Sequence, residues 1–157
     1  MNANEQLIER FYTSFQRRDY PAIAACYHPE AVYSDPVFTD LHGAQIPAMW
    51  QMLGQRSADL TISFSEITAD EQRGQAQWEA RYTFSQTGRP VVNQIRSQFV
   101  FQDGLIIRHH DSFNLWKWAR MALGQKGVWL GRLPPVQNTI RKQASRALDD
   151  FMGQPEQ

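Results

Sequence analysis

The chain has 157 residues, of which 42% are hydrophobic, 12% aromatic and 20% charged; that suits one folded domain with its own core and excludes wholesale disorder. Sixteen basic and sixteen acidic side chains cancel, which excludes the strong basic footprint of a nucleic-acid binder. Cys26 is the single cysteine and no apolar run approaches the roughly 18 residues that cross a bilayer, so a transmembrane helix, an intrachain disulfide and a cysteine-rich zinc site are excluded as well.

Met1 to Glu5 show neither a basic lead nor an apolar run, so no secretory leader is expected and a cytoplasmic address is. Residues 4–17 then place Leu7, Ile8, Phe11, Tyr12 and Phe15 at three-to-four spacing, which predicts an amphipathic helix. Asp19 is positioned to cap a second, short helix with Pro21 in its first turn and Ile23, Ala24 and Tyr27 on its inner side, broken at His28-Pro29-Glu30. Ala31 to Asp35 reads as extended, and Leu41-His42-Gly43 as a turn. A third helix is expected over residues 43–55, with Ile46, Met49, Trp50 and Leu53 in one stripe.

From Leu60 the period becomes two. Leu60, Ile62 and Phe64 alternate with polar residues, as do Ala76, Trp78, Ala80, Tyr82 and Phe84, and both runs predict strands with one buried face. Val91 to Phe101 is a further strand with Ile95, Ser97, Phe99 and Phe101 inward; Gln102-Asp103-Gly104 is a hairpin turn, and Leu105 to Phe113 is the last strand. A helix over Leu115 to Leu123 follows. A glycine-rich loop then holds Val128, Trp129 and Leu130, and a final helix covers residues 136–152. Helices, then antiparallel strands, then helices predict an α+β domain. Charge divides along the same lines: residues 1–114 carry nine basic and thirteen acidic groups, residues 115–157 seven and three.

Chemistry concentrates on the last strand. The two-residue period puts Leu105, Ile107, His109, Asp111 and Phe113 on one face. His109 and Asp111 are then about 7 Å apart along an inward face, where a carboxylate needs a partner or water. The pair is either an acid–base couple lining a pocket or an ion pair that serves the core; His110 points the other way. Asp35, before Pro36, is either a second base or a turn residue, on the same face as Tyr33. Tyr12, Tyr33, Trp50, Trp78, Tyr82, Ser97, Phe113 and Trp116 are the candidates for pocket wall and hydrogen-bond donors, or for ordinary core. Cys26 has no basic neighbour in sequence and reads as structural. No metal-ligand spacing, phosphate loop or dinucleotide fingerprint is present.

The order of elements resembles the nuclear transport factor 2-like superfamily, in its ketosteroid isomerase and SnoaL-like branch, over residues 4–116. The residues that carry the resemblance are Gln6 to Tyr12, Asp19 to Ile23 running into Cys26 to Val32, then Ser34-Asp35-Pro36, Leu41-His42-Gly43 and Asp103 to Ile106. The resemblance implies a cone: a strongly curved antiparallel, in part mixed, sheet wrapped around the N-terminal helices and enclosing an apolar pocket. It implies residues 1–114 as that domain, residues 115–157 as a helical extension packed on it, and a homodimer through the sheet.

Asp35-Pro36 resembles the setting of the general base of ketosteroid isomerases, whose oxyanion donors would fall on Phe11, beside Tyr12, and near Ser97. Asp111 resembles one of the paired aspartates of limonene epoxide hydrolases, whose arginine and second aspartate would fall near Trp78 and Ala80. Together these imply isomerisation, cyclisation or ring opening of a small steroid-, terpenoid- or polyketide-like molecule without cofactor or metal, with Asp35, His109 and Asp111 as the catalytic set. The alternative is a non-catalytic ligand-binding or dimerisation module. The aromatic, basic extension is expected to close the pocket mouth or widen a dimer interface; Asp149 and Asp150 count against contact with a membrane.

Overall fold

A computed structural model describes residues 1–154; residues 155–157 of the expected extension lie outside the described residues. α1 (Ala3–Gln16) starts in a capping box, the Asn2 side chain accepting from the Glu5 amide while Glu5 accepts from the Asn2 amide. It buries Leu7, Ile8, Phe11, Tyr12 and Phe15. Asp19 caps α2 (Tyr20–Ala25), accepting from the Ala22 amide at 3.1 Å, with Pro21 in the first turn. α3 (Gln45–Arg56) buries Ile46, Met49 and Trp50.

Six strands form one sheet in the order β2-β1-β6-β5-β4-β3. They are β1 (Tyr27–Ser34), β2 (Leu41–His42), β3 (Thr61–Ala69), β4 (Arg73–Phe84), β5 (Arg89–Gln102) and β6 (Leu105–Ser112). β1 runs parallel to β6 and every other pair is antiparallel. Registers shift in three places, between Tyr27 and Val32, Ser65 and Thr68, and Val100 and Phe101. Extra residues of this kind bend a strand and raise its twist, and here they curl the sheet around α1 and α3. The core cluster runs continuously from Leu7, Phe11 and Phe15 through Met49 and Trp50 to Trp78, Phe99 and Ile106.

Three local readings are corrected. His28-Pro29-Glu30 does not precede the first strand but lies inside it, as the bulge between Tyr27 and Val32, because Pro29 has no amide for the ladder. Leu41–His42 is not only a turn; it adds antiparallel to β1 as the edge strand. On β6 the bulge opposite Val100 and Phe101 moves the phase by one residue, so Ile106 and not Ile107 is buried, and the expected alternation holds only from His109 onward. The hairpin at Asp103-Gly104 is as expected, both residues having positive φ.

The C-terminal part is α4 (Leu115–Leu123), α5 (Gln125–Leu130) and α6 (Pro134–Met152). The expected glycine-rich loop is therefore a helix. Gly127 makes it possible: a Cβ there would run into the Ala119 carbonyl, so the two helices approach backbone to backbone. α4 packs beside the β4–β5 end, where Trp118 donates to the Tyr82 hydroxyl at 2.7 Å and Arg89 donates to the Met121 carbonyl at 2.8 Å. α6 lies along α3 and buries Leu148 in the main core.

A buried chain of hydrogen bonds as the candidate site

His109 and Asp111 do share the inward face of β6, and both are only 1% exposed. Strand pairing sets their neighbours: Ser97 stands opposite Asp111 and Phe99 opposite His109 on β5, and Tyr33 stands beside His109 on parallel β1. Asp111 Oδ1 lies 2.8 Å from His109 Nε2 and accepts from Ser97 Oγ at 2.5 Å. Its Oδ2 is 3.0 Å from the Tyr33 hydroxyl. Tyr12 donates to Ser97 at 2.6 Å. On the far side of the imidazole, Nδ1 is 2.7 Å from the Tyr27 hydroxyl, which in turn accepts from Trp50 Nε1 at 3.1 Å.

Donor counting orients the protons. Trp50 can only donate, so Tyr27 uses its own proton on His109 Nδ1, and the imidazole is left with its proton on Nε2, facing Asp111. A doubly protonated ring would leave the Tyr27 hydroxyl proton with no acceptor. Asp111 thus receives bonds from His109, Ser97 and Tyr33, which is how a buried carboxylate is accommodated.

Asp35 joins the same chain. Its Oδ1 accepts from the amides of Val37 and Phe38, both at 2.7 Å, which is the expected turn. Its Oδ2 is free for the Tyr33 hydroxyl, 2.7 Å away. Tyr33 has one proton and two carboxylate oxygens in reach. Both short contacts are hydrogen bonds when one carboxyl carries a proton and donates it to the phenol oxygen. The half-buried Asp35 suits that part. Burial is the largest influence on it and pushes its carboxyl above the ordinary aspartate range; the Phe38 amide, Tyr33 and the Val37 amide pull it back, and the charge of Asp111 adds to the rise. Burial and then the charges of Asp111 and Asp35 hold the Tyr33 phenol well above its usual value, so it remains a neutral relay. Tyr12 and Tyr27 are raised by burial in the same direction.

A raised carboxyl pKa means that the folded state holds the proton more tightly than the unfolded chain, so stability falls as pH rises. The unfolding free energy of the native protein, minus that of Asp35→Asn, is expected to decrease from the ordinary carboxylate pKa near 4 up to the raised value and then to level. Urea titrations of both proteins across that range measure it, and a flat difference would contradict the assignment.

Of the residues expected at the site, Tyr12, Tyr33, Asp35, Trp50, Ser97, His109 and Asp111 come together. Trp78 borders them, its ring 5.9 Å from Tyr12 and 6.0 Å from Trp50, with a buried indole nitrogen that has no acceptor among the described residues. Phe113 packs on the edge of the core. Tyr82 and Trp116 do not join: Tyr82 pairs with Trp118, and Trp116 lies under two arginines of the extension. Tyr27 was missed, because it reads as the end of a helix and only the β1–β6 pairing carries it to His109. Cys26 is buried, and burial pushes its thiol up to about 11, in keeping with an inert side chain.

One expectation about the surroundings changes. The pair does not line an open pocket, because the rings of Phe11, Tyr33, Trp50 and Phe99 lie 4.4 to 5.9 Å from the imidazole and close around it. A surface groove of about 300 Å³ lies elsewhere, against Phe15, Gln16, Arg18 and Leu60 to Ile62. The extension does reach the site: Arg141 on α6 donates to the Pro36 carbonyl at 2.8 Å, next to Asp35. Among the described residues no group of three His, Cys, Asp or Glu is arranged to hold a metal ion, and no helix is long and apolar enough to cross a membrane.

The family model for the SnoaL-like domain matches residues 8–109. No curated protein matches the chain. Among solved structures, an NTF2-like protein of unknown function from Burkholderia pseudomallei is 20% identical, with a TM-score of 0.68 over 77% of this chain and 98% of its own. A putative polyketide cyclase from Xanthomonas campestris is also 20% identical, with a TM-score of 0.62 over 74% and 93%. AclR, a putative hydroxylase from Streptomyces galilaeus, is 19% identical, with a TM-score of 0.63 over 98% and 99%. At such identities these likenesses establish the fold, and the last of them spans the C-terminal helices too.

Proposed function

The chain belongs to the SnoaL-like domain family, and from that premise we propose that it acts on a small apolar carbonyl compound by acid–base chemistry that needs no cofactor. The observation that carries this reading is Tyr33, whose single proton lies between the carboxyls of Asp35 and Asp111. Asp35 is the half-buried end of the chain and so the group that meets substrate. Above its raised pKa Asp35 is a carboxylate; it takes the proton from a carbon next to a carbonyl, the C–H electron pair moves into the enolate, and Asp35 becomes the protonated carboxyl that donates to Tyr33. Tyr33 passes its proton to Asp111 while accepting the one on Asp35, which frees Asp35 for a second transfer. The relay then runs in reverse: Asp111 gives its proton to Tyr33, Tyr33 gives its own to Asp35, and Asp35 delivers it at another atom of the substrate, which completes an isomerisation or readies a ring closure. Putative polyketide cyclases of the same fold support a polyketide-like substrate, and the unpartnered Trp78 indole supports a ligand with an oxygen acceptor.

Proton exchange tests this without the natural substrate. A polycyclic aromatic ketone with an acidic C–H is incubated with the protein in D2O, and deuterium uptake at that carbon is followed by NMR. Asp35→Asn and Asp111→Asn are each expected to lower the protein-dependent rate by about 10²–10⁴ with the fold retained. The second reading is a non-catalytic ligand-binding or dimerisation module, favoured by the closure of aromatic rings around His109. Absence of protein-dependent exchange in the native protein selects it, and exchange that survives in both variants overturns the assignment of Asp35 and Asp111.

A further inference from the structure

α5 is packed the wrong way round for a helix of a water-soluble domain. Such helices bury their large apolar residues and expose small or polar ones. Here Gly127 and Gly131 face Ala119, while Trp129 is 78% exposed and Val128, Leu130 and Leu133 are each nearly half exposed. Pro134 and Pro135 continue the exposed stretch. Gly127 brings α5 so close to α4 that only a backbone fits between them, and this leaves the Val-Trp-Leu triplet with nowhere to go but outward.

Along the chain, the charges that flank this patch all have one sign. Between Asp111 and Asp149 the chain has seven Lys and Arg and no Asp or Glu. Lys126 and Arg132 bracket the apolar triplet and are exposed, as is Lys117. The guanidinium groups of Arg120 and Arg132 lie 4.3 and 3.9 Å from the Trp116 ring centre. None of these four cations is in an ion pair among the described residues, and the hairpin packed on α4 contributes a further cation, Arg89.

We propose that α5 and the start of α6 form a docking surface for an anionic lipid bilayer, with Trp129, Val128, Leu130 and Leu133 entering the interface and Lys117, Arg120, Lys126 and Arg132 meeting the headgroups. Exposed tryptophan and aliphatic side chains rimmed by Lys and Arg suit an interface that is apolar below and negative above. A second copy of the chain fits less well. A two-fold contact would set this patch against itself, cation facing cation. The sequence expectation against a membrane rested on Asp149 and Asp150, which lie at the far end of α6, seventeen residues or more past Arg132. That helix is held along α3 by Leu148 and is not the exposed apolar element.

The test is co-sedimentation of the full chain with vesicles of phosphatidylcholine alone and of phosphatidylcholine mixed with phosphatidylglycerol, alongside sedimentation velocity without lipid. Binding to the mixed vesicles only, weakened by added salt, is expected. Trp129→Ala and Arg132→Glu, both surface substitutions, are each expected to weaken it about tenfold. The proposal is overturned by failure to bind mixed vesicles or by binding that Trp129→Ala leaves unchanged. It is equally overturned by a lipid-free dimer that Trp129→Ala dissociates, which would give the patch to a second copy.

Discussion

Asp111→Ala is expected to lower the unfolding free energy by about 3–5 kcal/mol, the sum of leaving more than one buried donor without an acceptor at about 1–3 kcal/mol each. The reason is specific here. Three donors converge on that carboxylate, from His109, Ser97 and Tyr33; Tyr33 can turn to Asp35, but the closed ring of aromatic side chains leaves His109 and Ser97 no other acceptor. For a chain of this size each kcal/mol shifts the melting temperature by roughly 2–4 °C, so a fall on the order of 10 °C is expected in calorimetry. Asp111→Asn should behave differently. The amide oxygen can still accept from His109 and Ser97. The amide nitrogen can donate to the Tyr33 oxygen, and Tyr33 can turn its proton wholly to Asp35. The three groups that bonded the carboxylate all keep a partner, so the stability cost is expected to stay near 1 kcal/mol. What is lost is the second carboxylate, and with it the proton shared through Tyr33. Stability and proton exchange therefore separate: alanine removes both, asparagine mainly the second. Equal melting of the two variants would mean that the three donors are not held by this carboxylate.

How much of this was legible in the sequence depends on how far apart the partners are. The period of two on β6 placed His109 and Asp111 on one face, and the Tyr33-Ser34-Asp35 spacing placed the phenol beside the Asp35 carboxyl; both are local relations and both hold. The same period misplaced Ile107, because a one-residue bulge changes the phase without any mark in composition. Tyr27 could not be assigned, since nothing local distinguishes the last residue of a short helix from the first of a strand. Its link to His109 spans 82 residues and exists only through a parallel pairing. Tyr12 is instructive in another way. The three-to-four spacing placed it with Phe11 on the apolar side of α1, and both are fully buried, but its bond to Ser97 joins residues 85 apart in the chain and no local pattern marks it. α5 was hidden for the opposite reason: glycine costs a helix about 1 kcal/mol, so local propensity reads Gly124 to Gly131 as a loop, and tertiary approach to Ala119 overrides it.

Trp50→Ala is the second large effect, about 3–5 kcal/mol, and it bears on whether the interior can take a ligand at all. Trp50 is the largest fully buried side chain. Its ring meets Phe11, Phe15 and Tyr33 edge-on at 5.1 to 5.3 Å, lies against Trp78, and stacks on His109 at 5.9 Å. Removing it leaves an apolar space walled by aromatic rings, with the Tyr27 hydroxyl on one side. Cavities of that character bind aromatic molecules of matching shape, so added indole is expected to raise the melting temperature of Trp50→Ala, its nitrogen restoring the bond to Tyr27. In the native protein the same space is filled. If indole stabilises only the variant, Trp50 is a fixed part of the core, and substrate must be met at the Asp35 end of the hydrogen-bonded chain. If indole stabilises the native protein as well, the indole ring of Trp50 gives way to ligands, and His109 and Asp111 can be reached directly. If it stabilises neither, the core has collapsed into the space, and the rigid aromatic enclosure inferred around His109 is wrong.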